Sequence, residues 1–122
     1  MMLLSGRKHW RFFLEGDRPF LYEDRAQSVF NVDAFRIAET EDKPLAKLAQ
    51  PYDCVLEPGE LLFVPAGAPH QVLNLEDSVA ISGNYIDSTN FQRSLVEIGR
   101  EAHAGVQESV ELYGELSCVL FT

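Results

Sequence analysis

Cysteine is scarce in this chain: Cys54 and Cys118 are the only two in 122 residues. A pair so distant in sequence could bridge, but with no secretory signal the two read as reduced thiols, which excludes a disulfide scaffold. Long hydrophobic runs are missing as well. Met1-Met2-Leu3-Leu4 is apolar, yet Gly6-Arg7-Lys8 follows at once, so no signal-peptide core of about 7–15 residues forms. No stretch approaches the roughly 20 apolar residues of a membrane span. The expected compartment is therefore cytoplasmic or nuclear, not secreted. Basic residues are few: ten Lys and Arg stand against nineteen Asp and Glu, a net charge of −9. Nucleic-acid affinity comes largely from cations that neutralise phosphates, so this balance argues against direct nucleic-acid binding and against anionic membrane surfaces. Linkers rich in Gly or Ser, internal repeats and low-complexity segments are also absent.

What remains is an ordinary globular composition, 46% hydrophobic and 24% charged, in a chain about one domain long. His9-Trp10-Arg11-Phe12-Phe13-Leu14 is aromatic-rich and reads as a strand. Val29-Phe30-Asn31-Val32 reads as a short strand, and the polar stretch from Asp33 to Gln50 as loop or short helix. From Tyr52 the pattern sharpens. Cys54-Val55-Leu56, Leu61-Leu62-Phe63-Val64, His70 to Leu75 and Ser78 to Tyr85 read as strands. They are separated by Glu57-Pro58-Gly59-Glu60, by Pro65-Ala66-Gly67-Ala68-Pro69 and by Glu76-Asp77, which are turn sequences. Short strands with tight turns predict an antiparallel sandwich or barrel. Beyond it, Phe91, Leu95, Ile98, Ala102, Val106 and Val110 recur at helical spacing after a cap at Ser88 or Thr89. Gly99 and Gly105 weaken that helix.

Of three histidines, His9 lies in the aromatic strand and His103 on the late helix; both read as packing or surface residues. His70 opens a strand directly after a Pro-Gly-Pro turn, which makes it the candidate metal ligand, since imidazole is the commonest one. Gly59, Pro65, Gly67, His70 and Asn74 fall in the order G-x5-P-x-G-x2-H-x3-N. This resembles the second motif of the cupin superfamily. Gly6-Arg7-Lys8-His9-Trp10-Arg11-Phe12-Phe13 is similar to the G-x-K-x-W-x-L-F strand of JmjC-type, cupin-like oxygenases. Leu56 to Pro65 is similar to their L-E-P-G-D-x-L-F-x-P turn, and His70 to Asn84 to their final strands. The resemblance covers roughly residues 5–91 in three separated motifs.

The resemblance implies a mainly β fold: a cupin-like double-stranded β-helix (jelly-roll) segment, incomplete at the N-terminus, in residues 1–87, followed by a C-terminal α-helix in residues 88–122. It implies Fe(II) and 2-oxoglutarate as cofactors. His70 matches the distal histidine ligand of iron. Lys8 matches the lysine that pairs with the far carboxylate of 2-oxoglutarate, Ser82 a hydroxyl position on that carboxylate, and Asn84 an asparagine near metal and co-substrate. Two departures stand beside the match. Ala68-Pro69 replaces an aromatic pair before the histidine, and no H-x-D or H-x-E occurs anywhere in the chain. Non-haem iron oxygenases use two histidines and one carboxylate, so this sequence supplies one of three protein ligands.

The first functional expectation is thus a JmjC-like Fe(II)/2-oxoglutarate oxygenase lineage, protein hydroxylase or demethylase, weakly active or inactive as this chain. The second is a non-catalytic cupin-like module that packs or dimerises through the helix. The third is a small cupin acting on a sugar or other metabolite. A protein substrate suits the first. The motifs also imply that the chain begins midway through a barrel, at the strand carrying Lys8. It is then expected to be marginal or oligomeric alone, or to need a partner that supplies further strands.

Overall fold

The computed structural model describes residues 1–24, 29–107 and 109–113. Cys118 lies outside them. Two compact units are present, Met1–Gly83 and a second from Asn84 onward.

The first unit is organised around the aromatic strand read from the sequence. That strand is β2, Lys8–Phe12, and β5 (Tyr52–Leu56) and β6 (His70–Asn74) flank it, both antiparallel. Side chains alternate along a strand, and residues opposite each other in an antiparallel pair share a face. Lys8 stands opposite Leu56 and Asn74, Trp10 opposite Cys54 and Val72, and Phe12 opposite Tyr52 and His70. These nine residues form one face, called inner here. His9 and Arg11, opposite Val55 and Asp53 on one side and Leu73 and Gln71 on the other, form the outer face.

A second sheet pairs β1 (Met2–Ser5) with β7 (Val79–Ile81), also antiparallel. Side chains of both sheets meet in one core. Leu3, Trp10 and Leu56 are buried there, with Cys54, Val72 and Ala80 packed against them. Each such side chain contributes about 1.5–3 kcal/mol by leaving water. β1 is a correction to the expectation that the chain starts at the Lys8 strand. A four-residue apolar opening looked too short to be an element, but Leu3 is the most deeply buried large side chain of the unit. The chain passes from β1 to β2 through Gly6, at φ +79°. A Cβ at Gly6 would lie 2.8 Å from Ser78 Cα and closer still to the Asp77 carbonyl. The Gly of the G-x-K motif is therefore a point where two backbones touch.

Between Gly59 and the Pro65 turn the expected strand Leu61–Val64 does not form. The segment makes one isolated bridge, Met2 to Leu61, and the Leu62 N–H donates to the Met1 carbonyl at 2.8 Å. Leu62 and Val64 pack on the core while Leu61 and Phe63 are exposed. The side-chain alternation of a strand is kept; a continuous hydrogen-bonding neighbour is lacking among the described residues. The expected strand from Ser78 to Tyr85 is likewise cut to Val79–Ile81.

Over the outer face lie short 3-10 helices rather than one helix: Ala34–Glu39 and Pro44–Leu48, with a third at Glu15–Leu21. They bury a second cluster of Phe13, Leu21, Ala34 and Ala49. A small ribbon joins β3 (Glu23–Asp24) to β4 (Val29–Phe30), which is shorter than the strand expected over residues 29–32.

In the second unit α1 runs Phe91–His103. The cap differs from expectation. Asp87 accepts hydrogen bonds from both the Thr89 backbone N–H and its hydroxyl, at 2.8 and 2.6 Å. Thr89 is thus held in a turn ahead of the helix, which starts after Asn90. The helix also stops earlier, in a turn at Ala104–Gly105, and helical residues resume at 107 and 109–113. Gly99 is no weak point. It is buried, and a Cβ there would lie 2.7 Å from the Tyr113 ring. The glycine lets the two helical stretches approach.

Candidate functional site

Lys8 opens β2, and its side chain faces Asn74 at the end of β6. The ammonium donates to Asn74 Oδ1 at 2.6 Å. This partner is a neutral amide, and among the described residues no carboxylate pairs with Lys8. An ammonium at the edge of a buried face with only an amide acceptor is suited to an anion.

His70 opens β6 at the other end of the same face. At about 3.3 Å per residue, positions 70 and 74 lie about 13 Å apart along the strand. The His70 ring leans on Trp10 and Phe12, with centroids at 5.4 and 5.9 Å, and those two rings stack on each other at 5.6 Å. His70 Nδ1 lies 2.9 Å from the Ala68 carbonyl. A carbonyl only accepts, so Nδ1 is the donor, and in the neutral ring Nε2 is then the nitrogen left to ligate a metal. The Ala68-Pro69 departure loses little here. The turn orients His70 through a backbone carbonyl, and the aromatic wall comes from Trp10 and Phe12.

Between these ends sits Trp10, only 3% exposed. Its indole Nε1 finds no hydrogen-bond acceptor among the described residues. Neither Trp10 nor Asn74 stood among the site residues read from the sequence. The period-2 alternation of Lys8, Trp10 and Phe12 was the signal that placed Trp10 beside Lys8.

The other two expected residues lie outside the three strands of this face. Ser82 stands one residue past β7, exposed, with no hydrogen bond to Lys8. Asn84 opens the second unit and is exposed.

The outer face of the same strands is fully bonded. Asp53 accepts from Arg11 Nε at 2.8 Å and Nη2 at 3.0 Å, and from His9 Nε2 at 2.8 Å. The Arg11 hydrogen bonds hold the Asp53 carboxyl below the usual carboxylate range, with His9 adding to the effect against the opposing pull of burial. Arg11 also donates to the Ala34 carbonyl at 2.8 Å and lies over the Phe35 ring. Gln71 receives the Ala34 N–H at 2.6 Å and donates to Asp33 at 3.0 Å. These bonds strap residues 33–35 to the sheet. Beside the strap an open cavity of about 690 Å³ is lined by Phe13, Val32, Asp33, Pro69 and His70, so His70 is reachable from solvent. Cys54 lies half-buried on the inner face, and burial pushes its thiol up, with Glu60 and Asp53 adding to the shift.

An iron centre does not fit these residues alone. Among the described residues no three of His, Cys, Asp and Glu come together to hold a metal. The group on this face that could meet an anion is the Lys8 ammonium, held by the Asn74 amide oxygen.

The profile of the cupin-like domain family matches residues 1–91. The chain belongs to the cupin-like domain family. Among cupin-like relatives, the 2-oxoglutarate and iron-dependent oxygenase JMJD4 of Mus musculus is 31% identical over 88% of this chain and 25% of its own length. The same-named protein of Homo sapiens is 33% identical over 88% of this chain and 26% of its own. The arginine-specific demethylase JMJ20 of Arabidopsis thaliana is 36% identical over 71% of this chain and 19% of its own. The chain therefore spans about a quarter or less of these relatives. Its mainly β fold with a following helix is that of a cupin-like segment. No helix among the described residues is long and apolar enough to cross a membrane.

Proposed function

We propose that this chain carries the co-substrate end and one metal ligand of a JmjC-type Fe(II)/2-oxoglutarate oxygenase. Lys8 takes the far carboxylate of 2-oxoglutarate and His70 offers Nε2 to iron. The remaining ligands, a histidine and a carboxylate, come from polypeptide outside these 122 residues, either a preceding segment or a partner chain. The observation that carries the reading is the Lys8 ammonium held by an amide oxygen on the same face as a histidine whose Nδ1 is engaged by a backbone carbonyl. The family resemblance also assigns Ser82 and Asn84 to the co-substrate. The cavity beside His70 admits the substrate, and the names of the relatives point to a protein side chain. Exposed Tyr52, Leu61 and Phe63 supply an apolar surface for the absent strands. Residues 1–87 are the catalytic portion in this reading, residues 88–122 a helical extension, and the compartment is the cytoplasm or nucleus.

A second reading has one observation in its favour: the described residues hold no metal-binding trio. It makes the chain a non-catalytic cupin-like module that packs or dimerises. Mn(II) titration followed by electron paramagnetic resonance separates the two. The oxygenase reading expects Mn(II) binding that is weak alone, tightens when 2-oxoglutarate is added, and loses that tightening in His70→Ala. Tightening that survives in His70→Ala, or none in the parent chain, favours the module.

A further inference from the structure

We infer that Arg18 is a positioning residue for His70: it clamps the turn whose backbone carbonyl sets the orientation of the imidazole. The inference rests on the reading of His70 as a metal ligand and adds a residue to it. His70 follows the turn from Pro65 to Pro69, in which three successive carbonyls are engaged. The Gly67 carbonyl accepts from Arg18 Nη1 at 3.2 Å, the Ala68 carbonyl from His70 Nδ1 at 2.9 Å, and the Pro69 carbonyl from the Phe13 N–H at 2.9 Å. Pro65 and Pro69 bring no N–H of their own. The turn closes through the Ala68 N–H, which donates to the Pro65 carbonyl at 3.2 Å, with Gly67 at φ +77°. That N–H and the Gly67 carbonyl belong to one peptide unit. Arg18 therefore holds from outside the peptide that Pro65 holds from within, and the next carbonyl along is the one His70 uses. The guanidinium is itself fixed. Glu23 on β3, with its side chain 14% exposed, takes Nε at 3.3 Å and Nη2 as a two-pronged pair, and Cζ lies over the Phe30 ring of β4, 5.4 Å from its centroid. The planar fork leaves Nη1 as the donor on the far side. The pair with Glu23 already neutralises the charge, and the remaining donor reaches 49 residues along the chain to the turn of His70.

The full chain, labelled with nitrogen-15, is observed through its histidine ring nitrogens at about pH 8, above the ordinary imidazole range. Protonated and bare ring nitrogens have well-separated shifts, and the His70 set is the one lost in His70→Ala. Arg18→Met keeps an apolar stem over Phe30 and removes the fork. Arg18→Lys keeps the charge beside Glu23 without the fork. The parent is expected to hold the His70 proton on Nδ1. In Arg18→Met the ratio of the Nδ1–H to the Nε2–H form falls about fivefold, the weakening of one hydrogen bond, and Arg18→Lys lies between. His9, bonded to Asp53 on the outer face, keeps its ring signals in both variants, which a general loss of structure would not allow. Mn(II) titration with 2-oxoglutarate on the same proteins reads the consequence: a tightening several-fold smaller in Arg18→Met than in the parent. An unchanged ratio in Arg18→Met, or a parent ring protonated on Nε2, overturns the inference, and the oxygenase reading is then judged by the Mn(II) data alone. If 2-oxoglutarate brings no tightening in the parent, that reading fails, while a shifted ratio still shows that Arg18 positions the ring. If Arg18→Met does not fold, Arg18→Lys decides, by a shift in the ratio or by its absence.

Discussion

The two faces of one three-stranded sheet differ more than their sequence neighbours suggest. Lys8 and His9 are adjacent, as are Trp10 and Arg11, and His70 and Gln71. On the outer face every charge has found its counterpart: Asp53 holds Arg11 and His9, and Gln71 is used at both ends of its amide. On the inner face an ammonium rests on an amide, an indole N–H has no acceptor, and a histidine nitrogen keeps its lone pair. A polar network that serves folding is closed on itself, because unpaired buried groups are costly. In the proposed reading, Lys8 and His70 on the opposite face serve a ligand that comes from outside. The strap on the outer face fixes the strands, and the inner face can then remain incomplete.

Three changes sharpen or break this contrast. The largest effect belongs to Gly6→Ala, at the joint that carries the chain from one sheet to the other. A positive φ and contact with the backbone of residues 77–78 predict a loss of roughly 2–4 kcal/mol in urea unfolding. A loss under 1 kcal/mol would show that the two sheets are not held at the spacing described. Next is Asp53→Asn. It removes the charge that Arg11 and His9 share, and the half-exposed site limits the loss to about 1 kcal/mol. Co-substrate binding should be unchanged, and a parallel loss of binding would erase the distinction between faces.

The smallest effect is on pH dependence. The folded-state pKa of Asp53 lies below its ordinary value, so its contribution is present at neutral pH and is lost as the pH falls below about 4 toward the folded value. The stability gap between the parent chain and Asp53→Asn should close over that window. A gap that persists at low pH would mean that the carboxylate charge is not what holds Arg11.

The inner face was legible in sequence to the extent that strand alternation reaches. Lys8, Trp10 and Phe12 are spaced by two, and His70 and Asn74 by four, so each set shares a face once the register is known. The Gly-Pro turns placed His70 at a strand end, where it is found. What sequence could not show is which strands pair. β2 joins β5 and β6, and β1 joins β7, so the pairings skip over long segments and no hairpin pattern announces them. β1 was missed because its opening is short and its burial depends on a sheet formed far along the chain. Leu61–Val64 looks like a buried strand because four apolar residues run together, yet a strand also needs a neighbour, and periodicity does not report one. Ser82 and Asn84 were carried by family resemblance alone, and Ser82 lies beyond the end of β7.

The central claim is that the inner face receives a dicarboxylate at Lys8. Isothermal titration calorimetry of 2-oxoglutarate into the full chain, into Lys8→Met and into Asp53→Asn tests it most directly. The account predicts saturable binding in the parent and in Asp53→Asn and at least about tenfold weaker binding in Lys8→Met, the loss of one charged hydrogen bond, with the folded stability of Lys8→Met within about 0.5 kcal/mol of the parent. Equal binding by the parent and Lys8→Met, or none by either, would contradict it.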